Sequence, residues 1–136
     1  MNSKLFATLA AVALAGPALA QDAAEGEKEF RKCKSCHMIE ADDGTTIVRG
    51  GKTGPNLYGI VGKTVGSVEG FRYGDTLAEL GEEGLVWTEE ELAAYITDPK
   101  AWLVEKSGDS GARSKMTFKL RSGQEDVAAY LASVAE

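Results

Sequence analysis

The chain has 136 residues, 15 Lys and Arg against 21 Asp and Glu, and a formal charge of -6. That length suits one domain, and the acidic balance argues against nucleic acid as a partner. Its two cysteines and single histidine exclude a multi-bridge disulfide scaffold or a histidine-rich metal site.

Residues 1–20 read as a cleaved secretory signal. Lys4 supplies the positive start, Leu5 to Ala15 the apolar core, and Ala18-Leu19-Ala20 the small-residue cleavage site. The apolar run is too short for a confident membrane span. Residues 21–136 are then a single exported domain that is not inserted in a membrane. Loss of Lys4 with the leader moves the formal charge from -6 to -7.

The first expected helix runs from about Ala23 to Lys34. Asp22 is its N-cap, with Glu25 three residues on, and Gly26, Phe30 and Cys33 lie on one face. It delivers Cys33-Lys34-Ser35-Cys36-His37, which contains every cysteine and the only histidine. C-x-x-C-H is the attachment signature of c-type haem. Two thiols three residues apart add to the two vinyl groups of a porphyrin, and the next imidazole binds iron from one face. Rival readings fit less well. Structural zinc needs about four ligands, usually in two pairs. A thioredoxin-like pair calls for a βαβ context, and a disulfide here would close a very small loop with little entropic benefit.

Further along lies a glycine-rich loop from Arg49 to Gly62, then a short helix near Thr76 to Leu80 with Asp75 as cap. A second main helix begins at Thr88, where Glu91 completes a T-x-x-E capping box. Leu92, Tyr95 and Ile96 form its stripe, and Asp98-Pro99 ends it. After a loop from Gly108 to Arg113, a third main helix begins at Ser122, where Ser-Gly-Gln-Glu repeats the box pattern. It buries Val127, Tyr130, Leu131 and Val134. No run of alternating strands appears. The fold class is all-α, with three main helices, one short helix and long loops. Such loops in so small a domain imply a body that fills the middle, and the porphyrin supplies it. Without it, the chain is expected to be largely unfolded.

A second axial ligand must come from elsewhere in the chain. Met1 leaves with the leader and Met38 directly follows His37, which leaves Met116 as the candidate thioether. Charge is unevenly spread. Residues 75–98 hold eight acids and no base, whereas residues 99–121 hold six bases against Glu105 and Asp109. Arg31, Lys32 and Lys34 flank the cysteines, so Lys32, Lys34, Lys100, Lys115 and Lys119 would ring the haem edge and steer docking to acidic proteins.

These pieces together resemble the class I cytochromes c, and among them the larger, insertion-containing cytochrome c2 group of α-proteobacteria. The resemblance spans almost all of residues 21–136. It is carried by Gly26 and Phe30 before C-x-x-C-H, Gly54-Pro55-Asn56-Leu57-Tyr58-Gly59, Gly70-Phe71-Arg72-Tyr73, Trp87, Tyr95 with Asp98-Pro99-Lys100, Lys115-Met116-Thr117-Phe118, and Tyr130-Leu131. It implies the cytochrome c fold wrapped around one covalently attached haem c, ligated by His37 and Met116. It also implies that the Pro55 carbonyl accepts the second ring N–H of His37, that Tyr73 and Trp87 donate to a haem propionate, and that Tyr95 lies beside the Met116 sulfur. Gly26 would let the first helix cross the last one closely, against Tyr130. The implied role is a monomeric periplasmic electron carrier, not an enzyme. It would run from a quinol–cytochrome c oxidoreductase to a reaction centre, terminal oxidase or reductase, docking on their acidic faces. Two features depart from the commoner pattern. Lys63 stands where many relatives carry arginine, and the segments Met38 to Lys52 and Val104 to Lys115 are longer than in mitochondrial forms. The alternatives are a peroxidase-like or gas-binding cytochrome with a labile sixth site, and a thiol oxidoreductase.

Overall fold

The computed structural model describes residues 21–136; the expected leader, 1–20, lies outside the described residues. Five helices and one small hairpin follow in order. They are α1 (Ala23–Glu29), β1 (Ile39–Glu40), β2 (Thr46–Val48), α2 (Asp75–Glu82), α3 (Glu89–Thr97), α4 (Pro99–Ser107) and α5 (Gln124–Ser133). None of the described helices is long and apolar enough to cross a membrane.

The frame is the crossing of α1 and α5. Asp22 caps α1 as expected, accepting from the backbone N–H groups of Ala24 and Glu25 at 2.9 and 3.2 Å. Its own N–H donates to the Asp126 carboxylate at 2.8 Å, which ties the start of α1 to α5. The helices meet at Gly26 because a side chain there has no room. A Cβ on Gly26 would lie 1.9 Å from the Asp126 carbonyl oxygen and 2.9 Å from the Tyr130 Cβ. One turn on, the Phe30 ring packs against Tyr130 with centroids 5.7 Å apart. Phe30 is 1% exposed, a burial that contributes about 2–3 kcal/mol. α1 stops sooner than expected, tightening into a 3-10 turn over Phe30–Lys32.

α3 matches its expected bounds, with Thr88 Oγ1 accepting from the Glu91 N–H at 3.0 Å. Its stop signal, however, is also a start signal. Asp98 accepts from the Ala101 N–H at 3.0 Å, Pro99 occupies the first turn, and α4 runs on to Gly108 at φ +71°. Asp-Pro is a breaker for the helix before it and an ideal opening for the helix after it. The expected box at Ser122 does not form. Gly123, at φ +79°, occupies the N-cap position of α5, and no side chain caps it. Asp75 is the first residue of α2, not its cap, and α2 reaches Glu82.

The hairpin was not legible as alternation because it pairs only Ile39 with Val48 and Glu40 with Thr46, across an irregular register. Asn56 braces it. Its Oδ1 accepts from the Glu40 N–H at 3.0 Å and its Nδ2 donates to the Glu40 carbonyl at 2.8 Å. Phe30, Ile39, Val65, Trp87, Trp102, Leu103, Leu120 and Val127 are among the buried apolar residues, and no polar or charged side chain is buried with them among the described residues.

The α1–α5 crossing yields the first prediction. Gly26→Ala forces backbone apart rather than a pliable side chain, so denaturant unfolding of the haem-bearing protein should show a loss of about 3 kcal/mol. Unchanged stability would mean that the two helices do not cross at this residue.

Candidate cofactor site

Cys33, Cys36 and His37 sit on one helical turn. The N–H groups of Cys36 and His37 both donate to the Cys33 carbonyl, at 3.2 and 2.9 Å, and positions three and four apart share a face. All three line a cavity of about 300 Å³ that penetrates the core. A strap of backbone holds the turn from outside. Gly51, Gly54 and Leu57 N–H groups donate to the carbonyls of Lys34, Cys36 and Met38 at 2.8, 2.7 and 3.1 Å. The approach is so close that a Cβ on Gly54 would lie 2.3 Å from His37 Cε1, and one on Gly50 would lie 1.9 Å from the His37 carbonyl oxygen. The sequence motif named the histidine but not this support. The signal was the glycine run beginning at Gly50, whose spacing follows the turn it covers.

The same strap sets the chemistry of His37. Its Nδ1 lies 2.8 Å from the Pro55 carbonyl oxygen, which can only accept, so Nδ1 carries the proton and Nε2 the lone pair. Burial lowers the His37 pKa, more than the Pro55 hydrogen bond raises it, which favours the neutral ring a metal ligand requires.

Met116 reaches the same cavity from a loop far along the chain. That loop is fastened at four points. Ser114 Oγ donates to the Met116 carbonyl at 2.7 Å and Lys115 Nζ to the Arg72 carbonyl at 2.8 Å. Lys119 pairs with Asp98 at 3.0 Å, and the Leu120 N–H donates to the Ile96 carbonyl at 2.8 Å. Tyr73, Trp87 and Tyr95 also line the cavity, with Leu57, Leu92 and Leu103 among its apolar walls. Tyr73 accepts from the Val68 N–H at 3.2 Å through its hydroxyl, which leaves its own proton to donate. Tyr95 is buried, which raises its pKa, while the Ser114 hydroxyl beside its phenol pulls the other way.

The chain's donors fit the expected haem. The indole N–H of Trp87, 4% exposed, has no hydrogen-bond acceptor among the described residues, yet its ring faces the cavity. The other tryptophan, Trp102, donates to Glu91 at 2.7 Å. A group in the cavity that carries an acceptor would satisfy the first indole. Cys36 is exposed, at the cavity's rim, and Cys33 half-buried. Burial, with help from Cys36 and Glu29, pushes the Cys33 thiol up to about 11, the opposite of the depressed pKa that activates redox thiols. Among the described residues, no three His, Cys, Asp or Glu side chains are grouped to hold a metal ion on their own. Lys63 does not line the cavity; its carbonyl accepts from the backbone N–H of Trp87 at 2.8 Å. Three of the five expected docking lysines are engaged: Lys32 with Glu29, Lys115 with the Arg72 carbonyl and Lys119 with Asp98. Lys34 and Lys100 are exposed and make no ion pair among the described residues.

Asp98 joins the start of α4 to the Met116 loop, which gives a pH dependence. The Ala101 N–H and then Lys119 hold its carboxyl below the ordinary 3.8. A depressed folded pKa stabilises above the unfolded pKa and loses that contribution as pH falls through the folded value. Acid titration below 3.8 should therefore loosen the loop. Asp98→Asn keeps a capping oxygen, and its unfolding midpoint should fall less steeply in acid than that of the parent. An identical slope in both proteins would contradict the link.

No family model matches the chain. It is 62% identical over 136 residues to cytochrome c-550 of Paracoccus versutus, covering 97% of this chain and 88% of that protein. It is 59% identical over 130 residues to cytochrome c2 of Rhodobacter capsulatus, covering 96% and 95% respectively. The solved structure of the Rhodobacter capsulatus protein superposes with a TM-score of 0.84, covering 85% of this chain and 99% of that one. Relatives this similar over this much of the chain are electron carriers, not enzymes, each built around one covalent haem c. The chain belongs to the cytochrome c2 and c-550 family of class I cytochromes c.

Proposed function

We propose that residues 21–136 form a periplasmic single-electron carrier, exported by the leader at 1–20, in which His37 and Met116 hold the haem iron between them. The observation that carries this reading is the convergence of His37, with its Nε2 lone pair free, and Met116 on one apolar cavity. Cys33 and Cys36 supply the thiols for the two thioether links, on the same helical turn as the histidine. Bound there, the haem supplies exchange of one electron between ferric and ferrous iron.

The remaining work belongs to the chain. The Pro55 carbonyl fixes the plane and tautomer of His37. Met116 would hold the iron from the side opposite His37, and a thioether there would favour the reduced state and leave no room for a substrate. Trp87 and Tyr73 each have a proton to donate to a propionate, offsetting the cost of burying it. Apolar walls that include Leu57, Leu92 and Leu103 exclude water and limit reorganisation when charge changes. Cys36, exposed at the rim, would mark the edge by which electrons leave; Lys34, two residues before it, is exposed and makes no ion pair among the described residues. Lys115, already held by the neutral Arg72 carbonyl, would present its charge without a large loss of side-chain freedom on docking. The partners of this reading are acidic faces of membrane redox complexes: a quinol–cytochrome c oxidoreductase as donor, and a reaction centre, terminal oxidase or reductase as acceptor.

Absorption spectra of oxidised and reduced protein test the axial pair. The expected result is a low-spin spectrum with a weak near-infrared sulfur-to-iron band, lost in Met116→Ala. A high-spin spectrum without the band would favour a gas-binding or peroxidase-like cytochrome. The docking reading has its own test: reduction by a negatively charged donor complex should slow by about tenfold between low and physiological salt. A rate indifferent to salt would remove electrostatic steering from the account.

A further inference from the structure

Glu91 stands at the third position of α3, where the capping pattern would turn its side chain back on Thr88. The carboxylate is employed elsewhere. Its Oε2 accepts from Trp102 Nε1 at 2.7 Å, and its Oε1 accepts from Lys106 Nζ. The site is partly buried, with the Glu91 side chain 23% exposed and that of Lys106 29%. Burial alone pushes the Glu91 carboxyl up, but the bonds from Lys106 and Trp102 together outweigh it and leave the pKa below its ordinary value. The Lys106 ammonium also lies 5.9 Å from the centre of the Trp102 ring. Glu89 and Glu90, in the same acidic run, line a shallow depression between α3 and α5 instead.

Trp102 is 3% exposed and has a single N–H, so its acceptor fixes how the ring is turned. The ring stacks on Trp87 at 5.1 Å and 25°, and meets Tyr95 edge-on at 5.3 Å and 82°. Tyr95 in turn packs on Trp87 at 5.0 Å. Beside the Tyr95 phenol lies the Ser114 hydroxyl, which donates to the Met116 carbonyl at 2.7 Å. One unbroken set of contacts therefore leads from a partly buried carboxylate to the residue read as the iron's second ligand.

We propose that Glu91 is a positioning residue for the Met116 side of the haem site, acting through the Trp102 indole on Trp87, Tyr95 and Ser114. The proposal rests on the reading of Met116 as iron ligand. With the carboxylate gone, the Trp102 N–H loses its partner in a buried site, and the ring turns to find another. Close packing passes that rotation to the rings it touches. Glu91→Gln keeps an oxygen for the indole and loses only the charge that faces Lys106.

Competition by free imidazole for the ferric protein reads the effect, with the two indole N–H proton resonances as a readout independent of the iron's ligand. In Glu91→Leu, imidazole should bind about fivefold more tightly, and both the Trp87 and Trp102 indole resonances should move. In Glu91→Gln, affinity should stay within about twofold of the parent. A Glu91→Leu protein that melts earlier but keeps the parent's imidazole affinity and Trp87 resonance would overturn the proposal, reducing Glu91 to a brace between α3 and α4. Should that variant not fold, Trp102→Phe removes the N–H while keeping a ring against Trp87, and the same shift or its absence decides. Met116→Ala separates the two readings. If it leaves imidazole affinity unchanged, Met116 is not the ligand, and the role of Glu91 is judged on the Trp87 resonance alone.

Discussion

The structure depends on an apolar centre that the polypeptide lines but does not fill. Side chains from α2, α3, α4 and α5, from the C-x-x-C-H turn and from the loops around Pro55, Tyr73, Trp87 and Met116 converge on one cavity. A domain of this size buries too little surface to leave its middle open without help. The porphyrin therefore has a structural part as well as a redox part. On this account it would supply the flat apolar body against which the loops pack, held in place by its covalent links.

From that constraint the local arrangements follow. The C-x-x-C-H turn must be held rigidly enough to present one nitrogen, and the glycines of the strap allow backbone to approach within hydrogen-bonding distance of that turn. The Met116 loop cannot be held by secondary structure, because it must arch across the cavity. It is fastened instead by Lys115, Lys119 and Leu120 to Arg72, Asp98 and Ile96, and braced internally by Ser114. Two of those fastenings use lysines that the charge pattern assigned to docking. Lys115 can do both, since an ammonium bound to a carbonyl still projects its charge, whereas the Asp98 carboxylate offsets that of Lys119.

Much of this was legible in the sequence where the chemistry has few solutions. C-x-x-C-H and the Thr88 cap each demand particular residues at fixed spacing, and the resemblance pointed to Gly26; the structure places the Thr88 cap and the Gly26 crossing as expected. The elements that escaped notice are those whose signals serve two purposes. Asp98-Pro99 ends α3 and begins α4, and local pattern shows only the first of these. Ser122 looked like a cap, yet Gly123 takes the position by its left-handed backbone. Glu91 looked like half of a capping box, and its carboxylate serves Trp102 and Lys106. Tertiary partners decide such cases, and they are invisible to local pattern. The hairpin of β1 and β2 is too short to alternate at all.

The claim on which the account turns is that this chain is folded by its cofactor. Circular dichroism of exported Cys33→Ala/Cys36→Ala protein, purified without haem, tests it most directly. The account predicts weak helical signal and no cooperative thermal transition, against a sharp transition in the haem-bearing parent. A haem-free variant with native helical content and its own cooperative melt would show that the polypeptide closes its centre unaided, and would contradict the account.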